Sequence, residues 1–262
     1  MRTVEVTRYV TPLREGGSLP AIVEANDDGL YVLKFRGAGQ GAKALIAELV
    51  SGEIARALGL PVPEIVFANL DPDLARTEPD PEIHALIHDS AGLNLALDFL
   101  PGSVSYDPVV HQIASDLASR IVWFDAYVTN VDRTARNTNM LMWHRQPWLI
   151  DHGATLYFHH SPGWEHQPER ARTTFPQIKD HVLLRAATRP AADRSHSDVD
   201  QSSANALMPD VIERILSPVP DEWLISEIPG FNAEAVRDGY RRYLTDRLAP
   251  PRAFADEAFR AR

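Results

Sequence analysis

Three observations predict an α+β fold for this chain. Short alternating segments crowd its first hundred residues, helical periods fill most of the remaining chain, and a Pro101-Gly102 step lies between the two. The predicted arrangement is two-lobed. Residues 1–100 would form an antiparallel sheet with one main helix, and residues 101–262 a mostly helical lobe carrying a polar loop.

Val4–Val10 alternates and reads as a strand, Arg14–Ser18 as a turn, and Pro20–Glu24 as a second strand. Asn26-Asp27-Asp28-Gly29 is a hairpin signal leading into a third strand, Leu30–Phe35. Arg36–Gly41 reads as a flexible loop. The helix expected over Ala42–Leu58 rests on Ile46, Val50, Ile54 and Leu58 at steps of four, widened by Leu45 and Leu49. Gly59 ends it, and Pro61 and Pro63 forbid continuation. Glu64–Asn69, Ile83–Ile87 and Leu93–Phe99 read as further strands, with an acidic loop over Leu70–Pro81. Beyond Pro101-Gly102, Val109–Thr129 reads as a helix that includes Asp125. Met140–Trp143 and Trp148–Ile150 read as strands joined by His144–Pro147. Helices are expected over Phe175–Ala187, Asn205–Leu216, Asp221–Ile228 and Asn232–Leu248. Residues 154–175 show no clear period, Thr188–Ser203 reads as a polar loop, and the tail from Ala249 as loose.

Composition narrows the functions. Acidic residues number 36 against 26 basic ones, a net charge of −10, so the basic footprint of a nucleic-acid binder is missing. The chain has no cysteine, which excludes disulfides, zinc–thiolate sites and thiol catalysis. The alternating Met1–Val6 lacks the apolar core of a signal peptide, and no apolar run approaches the ~20 residues of a membrane span. A cytoplasmic protein without a membrane partner is expected.

The residues with the strongest chemistry lie in Asp125–Asp151. Asp132 and Asn137 stand five apart in one loop, and a strand pair then returns Asp151 at its end. Asp and Asn favour turns, so the D-x₄-N spacing alone is common. Joined to the strands and to Asp151-His152-Gly153, it matches what phosphoryl transfer needs. One Asp orients the attacking hydroxyl, and an Asn and a second Asp hold Mg²⁺. Lys34, mid-strand among apolar neighbours, needs a carboxylate partner if it faces inward. Two glutamates on the Ala42–Leu58 helix compete for that role. Glu53 falls within the apolar stripe, and Glu48 lies nearly opposite, beside Gly52 and Ala55. The pattern leaves both open. Gly16-Gly17-Ser18 would lie over phosphates through backbone N–H groups or form an ordinary turn. The backbone of Asp98, Phe99 and Leu100 would meet a base edge. Arg133 and Arg136 read either as helpers in charge neutralisation or as surface arginines. His152, His159 and His160 lack the helical spacing of metal-ligand pairs.

Four segments carry a family resemblance: the strand YVLKF, the helix AELVSGEIARALGLPVPE, the loop NVDRTARNTNML and the strand end LIDHG. Together they resemble the HipA-like kinases, bacterial relatives of the protein-kinase and phosphatidylinositol 3/4-kinase fold. The resemblance implies ATP and Mg²⁺, with Lys34 on the phosphates, Asp132 as catalytic aspartate, and Asn137 and Asp151 as metal ligands. It places Glu48 beside Lys34 and leaves Glu53 second. It implies transfer to a hydroxyl, with Ser or Thr of a protein as the leading acceptor. Toxin members of that family carry an extra N-terminal subdomain used with an antitoxin; this chain starts almost directly at the sheet, so an antitoxin partner is not expected. Two rival readings remain. Aminoglycoside- and choline-type kinases share the D-x₄-N loop and the Ile-Asp strand end but usually have His-Gly-Asp where this chain has Asn130-Val131-Asp132. A nucleotide-binding pseudokinase would lack one of the three key polar positions.

Overall fold

The structure, a computed structural model of the chain, describes residues 1–13, 19–187 and 194–261. Its first five strands are β1 (Thr3–Pro12), β2 (Ala21–Ala25), β3 (Leu30–Lys34), β4 (Ile65–Leu70) and β5 (Gly92–Asp98). They close into a barrel in the order β1-β2-β3-β5-β4. The expected sheet was purely antiparallel; here β1 and β4 pair in parallel, Thr3 to Phe67 and Glu5 to Asn69. The cause lies in β1. Its second half pairs with β2, its register shifts twice between Val6 and Thr11, and its first three residues pair with β4 instead. Such irregularities bend a strand enough to change partners.

The side-chain alternation then sorts the barrel into two faces. Val4, Val6, Ala21, Val23, Tyr31, Leu33, Val66, Ala68 and Ala96 share one core cluster. Ile65, Phe67, Leu95 and Leu97 belong to a second, larger one. Lys34 follows Leu33 and therefore leaves the first cluster for the side facing the main helix.

That helix, α1 (Ala42–Ala57), ends where Gly59 adopts φ 68°. It is not the one-sided helix its stripe suggested, because every residue from Leu45 to Gly52 is buried. One side presses on β4, where a side chain at Gly52 would collide with Ile65. The other meets helices from the far end of the chain, so α1 shares the larger core cluster with Phe124, Ile215, Trp223 and Leu244.

Ile83–Ile87, expected as a strand, lies in helix α2 (Pro81–Asp89). Asp80 caps it by accepting the Glu82 amide at 3.0 Å, and Pro81 sits in the first turn, two strong local start signals. A short strand β6 (Val104–Ser105) precedes α3 (Ser115–Tyr127). Residues 109–114 are not helical, since Asp107 draws the amides of Val109 and His111 into a turn. The strand pair appears as β7 (Met140–Trp143) and β8 (Gln146–Leu149). Phe175–Ala187 holds only a short 3₁₀ turn, Pro176–Asp180, and Asp221–Ile228 only Asp221–Trp223.

The polar loop expected at Thr188–Ser203 contains helix α4 (Arg194–Ala206), with 188–193 outside the described residues. Its Asp200 takes hydrogen bonds from Trp123 Nε1 at 2.8 Å and Arg252 Nη2 at 2.7 Å, a tertiary anchor invisible to local pattern. Helices α5 (Pro209–Leu216) and α6 (Ala233–Leu248) follow. The loose tail is instead α7 (Ala253–Arg260), because Phe254 packs on the Trp123 and Tyr127 rings at 5.4 and 5.6 Å. Among the described residues no helix is long and apolar enough to cross a membrane.

Candidate active site

Three elements distant in sequence meet at Lys34. From β3 its Nζ reaches Asp151 Oδ1 at 2.6 Å and Glu48 Oε2 at 3.2 Å. Glu48 projects from α1 and is almost wholly buried, at 1% exposure. It also accepts the His152 backbone N–H at 2.9 Å, and its Oε1 lies 3.3 Å from His152 Nδ1. Asp151 stands just past β8 with φ 55°, a left-handed conformation that Asp tolerates better than most residues. Burial alone would lower the Lys34 pKa, but the two carboxylates more than offset it, and the ammonium is held well above its ordinary value. Burial likewise pushes Glu48 up, yet Lys34 and His152 outweigh it and keep it ionised, below the usual carboxylate range. Glu53 does not join this group; it faces Arg56 one turn on, at 3.3 Å.

The second cluster is local. Asp132 Oδ2 accepts from Asn137 Nδ2 at 2.7 Å and from Asn139 Nδ2 at 3.0 Å. The Asp132 carbonyl accepts the Thr134 amide, and the Asp132 amide donates to Asn130 Oδ1 at 3.0 Å. The loop starts where α3 ends. There the buried Arg247 guanidinium donates to the Tyr127 and Ala126 carbonyls, both at 2.9 Å, satisfying groups the helix leaves open.

Sequence reasoning treated Asp125 as an ordinary helix residue. It is in α3, but its carboxylate is fully buried and takes Asn130 Nδ2 at 2.7 Å, Arg133 Nε at 2.8 Å and His181 Nε2 at 2.7 Å. Burial raises its pKa, but Arg133 and the His181 hydrogen bond prevail and bring it to about 2. Arg133 is accordingly not a surface arginine; its Nη1 donates to the Asn139 carbonyl. Arg136 is exposed. Asn139 and His181 have no role in the sequence reading, and His152, weighed there only as a metal ligand, instead holds Glu48. The signal available was a lone Asp on the apolar side of a helix, which cannot be buried without partners.

The other sequence candidates fare differently. Gly16, Gly17 and Ser18 lie outside the described residues. The Asp98 and Phe99 amides already donate to the Glu64 and Leu30 carbonyls, both at 2.9 Å, so neither is left for a base edge. Only Leu100 keeps that reading open on the donor side. His159 is buried, with Nδ1 2.9 Å from the Tyr240 hydroxyl and Nε2 3.0 Å from His160 Nε2, while Lys43 donates to its carbonyl at 2.8 Å.

Comparison with solved structures gives the fold. The chain aligns over 99% of its length with 98% of the Helicobacter pylori proinflammatory kinase CtkA, at 13% identity and a TM-score of 0.58. The fold is therefore a protein-kinase-like α+β fold. A Golgi casein kinase solved with Mn/ADP bound aligns with 96% of this chain and 75% of its own, at 12% identity and a TM-score of 0.49. The sequence model of the HipA-like kinase family matches residues 6–247, and the chain belongs to that family. No curated protein matches it.

Proposed function

We propose that this kinase transfers the γ-phosphoryl group of Mg-ATP to a hydroxyl, with serine or threonine of a protein as acceptor. One observation carries the reading. Asp132 commits Oδ2 to two amide donors, while Oδ1 has no hydrogen-bond partner among the described residues, in the chain that also pairs Lys34 with Glu48 and Asp151. A carboxylate held by one oxygen and open at the other is arranged to receive a proton.

The residues also suit a hard, oxygen-loving cation. Asn137 turns its amide nitrogen to Asp132 and so leaves its carbonyl oxygen outward, and Asp151 engages only Oδ1 with Lys34. Asn137 and Asp151 would hold Mg²⁺, which supplies charge neutralisation on the phosphate oxygens. Residues 1–100 then form the nucleotide lobe and residues 101–262 the lobe that presents the acceptor. Lys34, fixed by Glu48, binds the phosphates. Asp132 orients the acceptor hydroxyl and takes its proton as the oxygen bonds to the γ-phosphorus and the bond to the ADP oxygen breaks. The rate comes from positioning and charge rather than from a covalent enzyme intermediate.

The test is incubation with γ-labelled ATP and Mg²⁺, alone and with cell lysate, comparing wild type with Asp132→Ala. Label on protein bands, lost in the variant, is expected. Label appearing only in small molecules would move the acceptor to the aminoglycoside or choline type. Unaltered labelling by the variant removes Asp132 from the chemistry.

A further inference from the structure

The phosphotransfer scheme uses neither Asp125 nor His181, yet both are buried and charged or polar, and both point at the loop that carries Asp132. The tautomer of His181 is fixed by its surroundings. Its Nδ1 accepts the Leu183 backbone N–H at 3.0 Å, so the proton sits on Nε2, which donates to Asp125 Oδ2 at 2.7 Å. Asp125 in turn grips the loop on both sides of Asp132. Asn130, two residues before, is held through its side-chain amide and passes the grip on by accepting the Asp132 N–H. Arg133, one residue after, is held through Nε. The segment bearing His181 is tied to the same loop, because the Val182 amide donates to the Arg133 carbonyl at 3.1 Å and Thr134 bridges His181. A single neutral imidazole thus orients the one carboxylate from which the loop hangs.

We propose that Asp125 and His181 are positioning residues for Asp132, with His181 acting through the Nε2–H donor to Asp125. Part of the test rests on the function proposed above, and part does not. Two substitutions divide the imidazole's roles. His181→Asn keeps an acceptor near the Leu183 amide and loses the donor to Asp125. His181→Gln keeps a donor within reach of Asp125 and loses the Leu183 acceptor.

The first readout is kcat against KM for ATP. His181→Asn should lose kcat on the order of tenfold with KM for ATP within about twofold, because a small misplacement of a reacting group costs rate more than nucleotide binding. His181→Gln should restore most of the rate. The second readout is amide hydrogen exchange in the nucleotide-free protein, where the Thr134 and Val182 amides should exchange faster in His181→Asn than in His181→Gln or wild type. Wild-type kcat and protection in His181→Asn overturn the proposal. So does an equal loss in both variants that follows a common fall in melting temperature, since that marks a purely structural histidine. If wild type itself transfers no phosphate, the proposed function fails, and the exchange pattern alone still decides whether His181 holds the loop.

Discussion

The two halves of the site are built in opposite ways. The Lys34–Glu48–Asp151 group spans 117 residues from Lys34 to Asp151, and 104 from Glu48 to His152, and exists only once barrel, helix and strand end have packed together. The Asp132–Asn137–Asn139 group spans seven residues and lies where the chain meets solvent. In the first half, Lys34 and Glu48 are largely withdrawn from water and hold each other. In the second, a half-buried carboxylate is oriented by amides, and its fixity is borrowed from Asp125, a fully buried carboxylate below it. The two halves should therefore fail differently: damage to the distant half should cost stability as well as nucleotide binding, while damage to the local half should only inactivate.

The largest effect tests the local half. Asp132→Ala is expected to lose phosphotransfer by on the order of 10³-fold, the range for a positioned proton acceptor. Its urea midpoint should stay near wild type and its nucleotide affinity should be retained, measured by titration with Mg-ADP. A large stability loss would erase the contrast with the distant half.

Lys34→Met probes that distant half. It leaves Glu48 buried, with only the His152 groups as partners, and stranding a buried charge costs roughly 3–5 kcal/mol. Urea unfolding should register a loss of that size together with weakened Mg-ATP binding. Adding Glu48→Gln removes the stranded charge, so the double variant should regain part of the stability and none of the activity. A Lys34→Met protein as stable as wild type would mean that the triangle is not what holds α1 against β3.

The same contrast explains what could be read in the sequence. Asp132, Asn137 and the β7–β8 pair were legible because their signal is local: turn formers at a short spacing, then alternating apolar residues. The choice between Glu48 and Glu53 was not legible from periodicity, because a helical wheel assumes one buried face and α1 is covered on two. Asp125 is legible only as a lone Asp on the apolar side of its helix; its partner His181 lies 56 residues on, in a segment with no period, so the local pattern does not show what holds the buried charge. The α4 and α7 helices read as loop and tail in the sequence because what holds them, Asp200, Arg252 and Phe254, acts by tertiary contacts that local pattern does not show. The parallel pairing of β1 with β4 depends on bulges in β1 that no residue type marks.

A smaller effect comes from His159, whose carbonyl is held by Lys43 of α1. Burial, and then the nearby His160 and Lys43, hold its pKa well below the ordinary 6.5, and its Nδ1 faces the Tyr240 hydroxyl. The unfolded chain therefore binds a proton that the folded one refuses. Stability is fully kept above about pH 6.5 and erodes as the pH falls below it. His160, also lowered by burial and by Lys43, works in the same direction. Urea midpoints from pH 8 to pH 5 should decline on the acid side for wild type and decline less for His159→Gln. Identical slopes would remove His159 as a source.

The smallest effect compares the two glutamates of one helix. Glu53 sits five residues beyond Glu48 on α1, yet its carboxylate is partly exposed and meets only Arg56 within its own helix. A pair of this kind contributes little, since both ends remain in reach of water. Burial raises the Glu53 pKa and Arg56 only partly opposes it. A raised acid binds its proton more tightly folded than unfolded, so its contribution is most favourable below the ordinary carboxylate value and fades as the pH rises through the folded pKa. At neutral pH, Glu53→Gln should therefore leave stability within about 0.5 kcal/mol of wild type, on the stabilising side if either. Phosphotransfer should be unchanged. Glu48→Gln, by contrast, takes the negative charge from beside Lys34 while leaving the amide in its place, and both nucleotide affinity and stability should fall. Parallel urea and Mg-ATP titrations on the two variants read the difference directly. If Glu53→Gln weakened nucleotide binding as much as Glu48→Gln, burial and distance at Lys34 would not be what distinguishes the two residues.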